Sequence, residues 1–159
     1  MQAERAPDAT AKLKRLTRAM RNAKTVVFDE TLASSPTRKG TTAFTLVAPN
    51  KLKYTSDTGA RAIVIGDRRW DSEQRGAPFI ESPQSPLNVT APYWAKVRNV
   101  HEVEPGVITF LDPRVPAWFR IDTNGNLPRN VHMTAAGHFM VDRYKGFDVP
   151  VTVSPPPSR

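Results

Sequence analysis

Hydrophobic and polar positions change rhythm once along this chain. Over "APDATAKLKRLTRAMRNA" the apolar residues Leu13, Leu16 and Met20 recur at helical spacing and share one arc with Ala9 and Ala23. Pro7 suits a first turn, and Asp8 or Thr10 supplies a cap, so this segment predicts a helix. After Ala23 the period drops to two. "KTVVFDETLAS", "TTAFTLVAP" and "KLKYTSD" alternate Val26, Phe28, Leu32, then Phe44, Leu46, Ala48, then Leu52 and Tyr54 against polar neighbours.

Turn chemistry divides the rest of the chain into hairpins. Gly66-Asp67 in "ARAIVIGDRRWDSE" is a two-residue loop with glycine first, and Asn124-Gly125 is the strongest hairpin signal in the chain. Pro105-Gly106 and Lys145-Gly146 read as two further turns. The pattern predicts an α+β fold: a highly curved antiparallel half-barrel of about 10–11 strands, in meander order, wrapped around one N-terminal helix. A wide sheet with one apolar face must curl or be covered. One helix, with at most a short second one near Ala91–Val97, leaves the concave side to large side chains or to a cavity.

Inward parity nominates Phe28, Phe44, Leu46, Leu52, Tyr54, Ile63, Ile65, Phe110, Trp118 and Met133 as cavity or core wall. The segment from Arg75 to Trp94 breaks the alternation and carries Pro78, Pro83, Pro86 and Pro92. Long aperiodic loops in compact domains tend to be functional, and Phe79, Tyr93 and Trp94 need something to cover, so they mark either a lid or a loop over a sheet edge. Asn88-Val89-Thr90 matches a glycosylation sequon, a short and weak pattern. Residues 1–153 read as one domain and 154–159 as a stiff, untethered Pro-rich tail.

Composition narrows the function classes. With 39% apolar and 24% charged residues the chain is neither disordered nor built to span a bilayer with a helix. The formal charge of +8 raises nucleic acid and anionic membranes as partners. No nucleic-acid-binding signature occurs, which argues against the first. Lys14, Arg15, Arg18 and Arg21 lie opposite the apolar arc of the helix, a face that is either solvated or suited to an anionic lipid surface.

Enzyme chemistry finds no foothold. There is no nucleophile elbow, H-E-x-x-H, phosphate loop or dinucleotide fingerprint, and no cysteine. Asp71 and Glu73 read as ion-pair partners of Arg68 and Arg69. "HMTAAGHFM" holds two of the three histidines and two of the four methionines, a soft-donor set that would suit Cu(I). On one extended strand His132 and His138 would stand ~20 Å apart at ~3.3 Å per residue. The stretch therefore predicts strand, short turn at Ala135–Gly137, strand, with Met133 and Phe139 in the core and no shared metal ion. No catalytic residue, metal site or cofactor is expected.

"APNKLKYTSDTGARAIVIGDRRWDSE" is similar to the bacterial lipoprotein-carrier superfamily, which includes the Lol-type carrier, its receptor and the mycobacterial lipoglycoprotein carriers. Pro49, Leu52, Lys53, Gly66 and Trp70 stand at that family's motif positions, with Trp70 one residue late. "FLDPRVPAWF" and "MTAAGHFMVDRYKGFDVPV" resemble actinobacterial exported domains, some joined to membrane proteins of the copper-resistance type. The resemblance implies a sheet wrapped around helices, an apolar cavity that accepts acyl chains, and a location outside the cytoplasm, secreted or anchored through a segment not in this chain. The reading is a non-enzymatic carrier for a hydrophobic ligand such as a lipid or a lipoprotein's acyl chain. The alternative is a copper-related or protein-interaction module of the cell envelope.

Overall fold

The computed structural model describes residues 6–158 of the chain. It contains one helix, α1 (Ala6–Asn22), and eleven strands: β1 (Thr25–Ser35), β2 (Arg38–Val47), β3 (Lys51–Ser56), β4 (Arg61–Ile65), β5 (Arg68–Ser72), β6 (Ile80–Pro83), β7 (Arg98–Glu104), β8 (Val107–Asp112), β9 (Ala117–Asn124), β10 (Leu127–Ala135) and β11 (His138–Phe147). They form one antiparallel sheet in the order β6-β5-β4-β3-β2-β1-β11-β10-β9-β8-β7, open at β6 and β7. The α+β architecture expected from the alternation is thus present. The order is two meanders whose first and last strands lie side by side. Two hydrogen bonds hold that seam: the Asp148 amide donates to the Thr25 carbonyl at 2.9 Å, and the Lys24 amide donates to the Asp148 side-chain Oδ1 at 2.6 Å.

Three local expectations give way. Lys145-Gly146 is not a turn, because β11 runs through it. An ideal Cβ on Gly146 would lie 2.7 Å from Val149 Cγ1, so this glycine marks a close approach within a strand. The eleventh strand is β6, inside the segment that its prolines made look irregular. Pro83 is tolerated there because β6 is an edge strand with a free side. No helix forms over residues 91–97. The turns at Gly66 and Gly106 stand as expected, whereas the Asn124-Gly125 turn is displaced by one residue to Gly125-Asn126, because Asn124 still pairs with Leu127; all three glycines have positive φ.

The chain divides into two compact units. The first comprises α1, Leu32–Lys39 and Ala91–Arg143. Here Ala9, Leu13, Leu16 and Met20 of α1 are buried, and the helix contacts β7 and β10. Sheet residues Ile108, Phe110, Phe119, Ile121, Val131 and Met140 complete this core. Phe110 and Phe119 stack at 5.0 Å between ring centroids, and Trp94 meets both edge-on at 5.4 and 5.7 Å. Lys12 of α1 pairs with Glu102 of β7.

Asp112, fully shielded from solvent, fastens the approach to β7. It accepts the Ala95 amide at 3.1 Å and the Arg114 amide at 2.9 Å, with the Arg114 guanidinium at 3.4 Å. Burial pushes this carboxyl up, but the two amides and the guanidinium outweigh it and hold the group below the usual carboxylate range.

The second unit comprises Ala23–Thr31, Gly40–Thr90 and Tyr144–Arg159. Its core cluster is Ala23, Val26, Phe28 and Leu46. The C-terminal segment is not untethered: Val153 is buried, and Pro155–Pro157 line a cleft with Trp70 and Phe79.

Candidate functional site

Register decides which side chains share a face. Phe44 pairs with Tyr54 and Leu46 with Leu52, so these four project from β2 and β3 on one side. Leu52 in turn pairs with Val64 and Tyr54 with Ala62. Phe28 of β1 stacks on Phe44 at 4.8 Å with ring planes 5° apart, and Tyr144 of β11 stacks on Phe28 at 5.2 Å. Tyr54 lies 5.4 Å from Phe44, and Phe147 lies 5.3 Å from Tyr144. The result is an aromatic row, Phe147–Tyr144–Phe28–Phe44–Tyr54, running across four neighbouring strands.

This row is incompletely covered. Phe28 and Leu46 are buried, whereas Phe44, Leu52, Tyr54, Tyr144 and Phe147 are each half-buried. No described residue of the unit is helical. The 84–90 loop supplies part of the cover, with Val89 packed on the cluster and its amide donating to the Pro49 carbonyl at 3.0 Å. One end of the row is polar. Arg69, in register with Val64, approaches the Tyr54 hydroxyl at 3.5 Å and bonds Asp71 through Nε at 2.8 and 3.0 Å.

The ten side chains nominated as cavity or core wall therefore fall into three groups. Phe28, Phe44, Leu46, Leu52 and Tyr54 are brought together on the aromatic face. Phe110 lies in the filled core of the first unit, and Met133 is half-buried on that same inward parity, paired with Phe119 and Met140. Ile63, Ile65 and Trp118 are misplaced by the parity reading. Ile63 pairs with Lys53 and Trp70, and Ile65 with Lys51 and Arg68, so both point away from Leu52 and Tyr54. β4 is apolar on both parities, and its Ala62 and Val64 take the inward positions. Trp118 is 51% exposed because Ala117, Phe119 and Ile121 take the buried parity of β9, leaving Trp118 beside Arg120 outside.

The lid residues do not act as one group. Phe79 belongs to the second unit, under the Arg61 guanidinium at 4.6 Å. Trp94 is core in the first unit, its indole donating to Thr17 Oγ1 at 3.3 Å. Tyr93 beside it is half exposed and donates its hydroxyl to Asp142 Oδ2 at 2.9 Å. Among the surface ion pairs, Arg69 joins Asp71 as expected, but Arg68 bonds Glu81 at 2.8 Å rather than Glu73. That bond holds the Glu81 carboxyl below its usual range.

The His/Met stretch is a hairpin: β10 ends at Ala135, Gly137 has φ 70°, and β11 begins at His138. Met133 pairs with Met140 and Ala135 with His138, whereas His132 pairs with Val141. The two imidazoles thus leave opposite faces of the hairpin. Phe139 is 49% exposed, not core, since Met140 takes the inward parity. His132 lies 3.6 Å from Asp122. Among the described residues no group of three or more His, Cys, Asp or Glu side chains is placed to hold a metal ion.

Parity reasoning missed Phe119, Val64, Tyr144, Phe147 and Val89. Tyr144 was within its reach, because Met140, Asp142 and Tyr144 form one buried-to-half-buried series along β11. Val89 was not, because nothing periodic marks it.

No protein-family model matches the chain, and no curated protein matches it. Solved structures do. The lipoprotein LppX from Mycobacterium tuberculosis superposes with a TM-score of 0.63 at 15% identity, over 93% of this chain and 99% of that one. LprF from Mycobacterium bovis superposes with a TM-score of 0.54 at 11% identity, over 99% of this chain and 100% of that one. A LolA superfamily protein from Nitrosomonas europaea superposes with a TM-score of 0.45 at 9% identity, over 91% of this chain and 94% of that one. At these identities the likeness to LppX and LprF is one of fold.

Proposed function

We propose that this chain is a non-enzymatic carrier for a hydrophobic ligand, a lipid or the acyl chain of a lipoprotein, acting outside the cytoplasm. The observation that carries the reading is the incompletely covered aromatic row of the second unit. A sheet face of five packed rings and Leu52 offers an acyl chain dispersion contacts and release from water at ~25 cal/mol per Å² of apolar area buried. Stacked rings are already ordered without a ligand, so little conformational freedom is lost on binding. The Arg69–Asp71 pair beside Tyr54 gives the face one polar end, which suits an amphiphile better than a hydrocarbon. The fold is shared with LprF and with the lipoprotein LppX, a likeness that fits a carrier of lipid or acyl chains outside the cytoplasm. On this reading residues 1–153 act as one carrier domain.

Native mass spectrometry of the purified protein, with extraction of co-purifying lipid, tests the reading together with titration of a fluorescent fatty acid. Binding at micromolar concentration that weakens about ten-fold or more in Phe44→Ala supports it, since truncating a large ring removes a few kcal/mol of contact. No lipid in the preparation and no fatty acid bound at micromolar concentration would end it. A protein-interaction module of the cell envelope would then be the better account.

A further inference from the structure

The five cations of α1 are not distributed evenly over solvent. Lys14, Arg18 and Arg21 stand at i, i+4 and i+7, one stripe of the helix. That stripe borders a groove of 410 Å³ whose other wall is the segment around Trp94 to Val97, with Leu13 and Trp94 as its floor. No acidic side chain among the described residues lines it. Lys14, Arg15 and Arg18 are exposed and take part in no ion pair among those residues, in contrast to Lys12, which Glu102 neutralises. The apolar arc of α1 is already buried in the core of its unit, so this helix cannot insert into a bilayer as an amphipathic anchor does.

We infer that the groove flanking α1 docks the chain on an anionic membrane surface, seating the phosphate of a lipid headgroup between Lys14, Arg18 and Arg21. Charge complementarity selects the occupant: three cations on one stripe, with no carboxylate among the described residues of the lining, match a phosphate. The inference is independent of the ligand proposed for the aromatic row, and each can fail alone.

Co-sedimentation with vesicles tests it. One set is pure phosphatidylcholine and the other contains phosphatidylglycerol at about a third of the lipid. Binding to the anionic set alone is expected, lost as salt rises to where the Debye length is only a few ångströms. Each cation near such a surface strengthens binding about five-fold, so Lys14→Gln/Arg18→Gln/Arg21→Gln is expected to weaken it roughly a hundred-fold. A control variant, Lys39→Gln/Lys53→Gln/Arg129→Gln, removes the same charge from exposed positions elsewhere and is expected to bind nearly as the parent does. Equal loss in both variants would mean that only net charge matters, and would overturn the groove. Equal binding to both vesicle sets would overturn recognition of an anionic headgroup, and binding to neither would overturn the membrane and leave an acidic macromolecule as the partner. Circular dichroism of each variant checks that the exposed substitutions leave the fold intact.

Discussion

Phe119 and Trp118 are neighbours in sequence, both aromatic, and lie on opposite faces of β9, so truncating each in turn reads the face assignment as an energy. Phe119 is 2% exposed and contacts Phe110, Trp94 and Tyr93 at centroid distances of 5.0, 5.7 and 6.0 Å. Phe119→Ala removes a fully buried ring from the core, which costs about 3–5 kcal/mol. Trp118 is 51% exposed. Half of the ~1.5–3 kcal/mol that full burial of a large apolar side chain provides gives about 1 kcal/mol for Trp118→Ala. Urea unfolding measures both, with the slope checked for constancy so that the midpoint reports stability. A Trp118→Ala loss equal to or larger than that of Phe119→Ala would refute the register of β9 and with it the inward face of the first unit.

Other expectations are equally concrete. Asp112→Asn should destabilise at neutral pH, because it removes a buried charge that holds the Ala95 and Arg114 amides. A carboxyl held below its usual range stabilises above its unfolded pKa of ~3.9, and that contribution fades as pH falls through the lower folded value. The gap between parent and Asp112→Asn in denaturant midpoints should therefore be flat from pH 7 to about 5 and close below about 4. A gap that widens with acid would show that the carboxyl is not held down as described. Gly146→Ala should cost about 1–3 kcal/mol by pressing a methyl into Val149, and Val149→Ala in the same chain should recover part of the loss. Full additivity of the two would refute that contact. In acrylamide quenching, Trp118 should be the readily quenched indole, with Trp70 and Trp94, 6% and 3% exposed, resistant.

The sequence made most of this fold legible, and the exceptions have physical causes. Alternation located ten of the strands, and Gly66, Gly106 and Gly125 located three turns, because a positive φ leaves few residues to choose from. The same rule misread Gly146, since a glycine needed for space resembles one needed for φ. β6 was hidden because an edge strand pairs on one side only, tolerates Pro83 and buries nothing, so it carries no period. Face assignment failed where both parities are apolar, as at Ile63 and Ile65, and where ring size was preferred to context. Arg120, two residues after Trp118, marks that parity as outward. Most of the candidate site was visible as Phe28, Phe44, Leu46, Leu52 and Tyr54. The inward parity of Tyr144 was readable from Met140 and Asp142, but Tyr144 and Phe147 join the row because the last strand pairs with the first, a long-range contact that local pattern does not announce.

The central claim is that a hydrophobic ligand lies on the aromatic row of the second unit, and photo-crosslinking locates it most directly. A fatty acid carrying a diazirine in its chain is bound, irradiated, and the modified peptides are mapped by mass spectrometry. The account predicts adducts concentrated on Phe44, Leu52, Tyr54 and Tyr144, suppressed by excess unlabelled fatty acid and reduced in Phe44→Ala. Adducts confined to the groove beside α1 or to the outward face around Trp118 and Phe139, or labelling that excess fatty acid does not suppress, would contradict it.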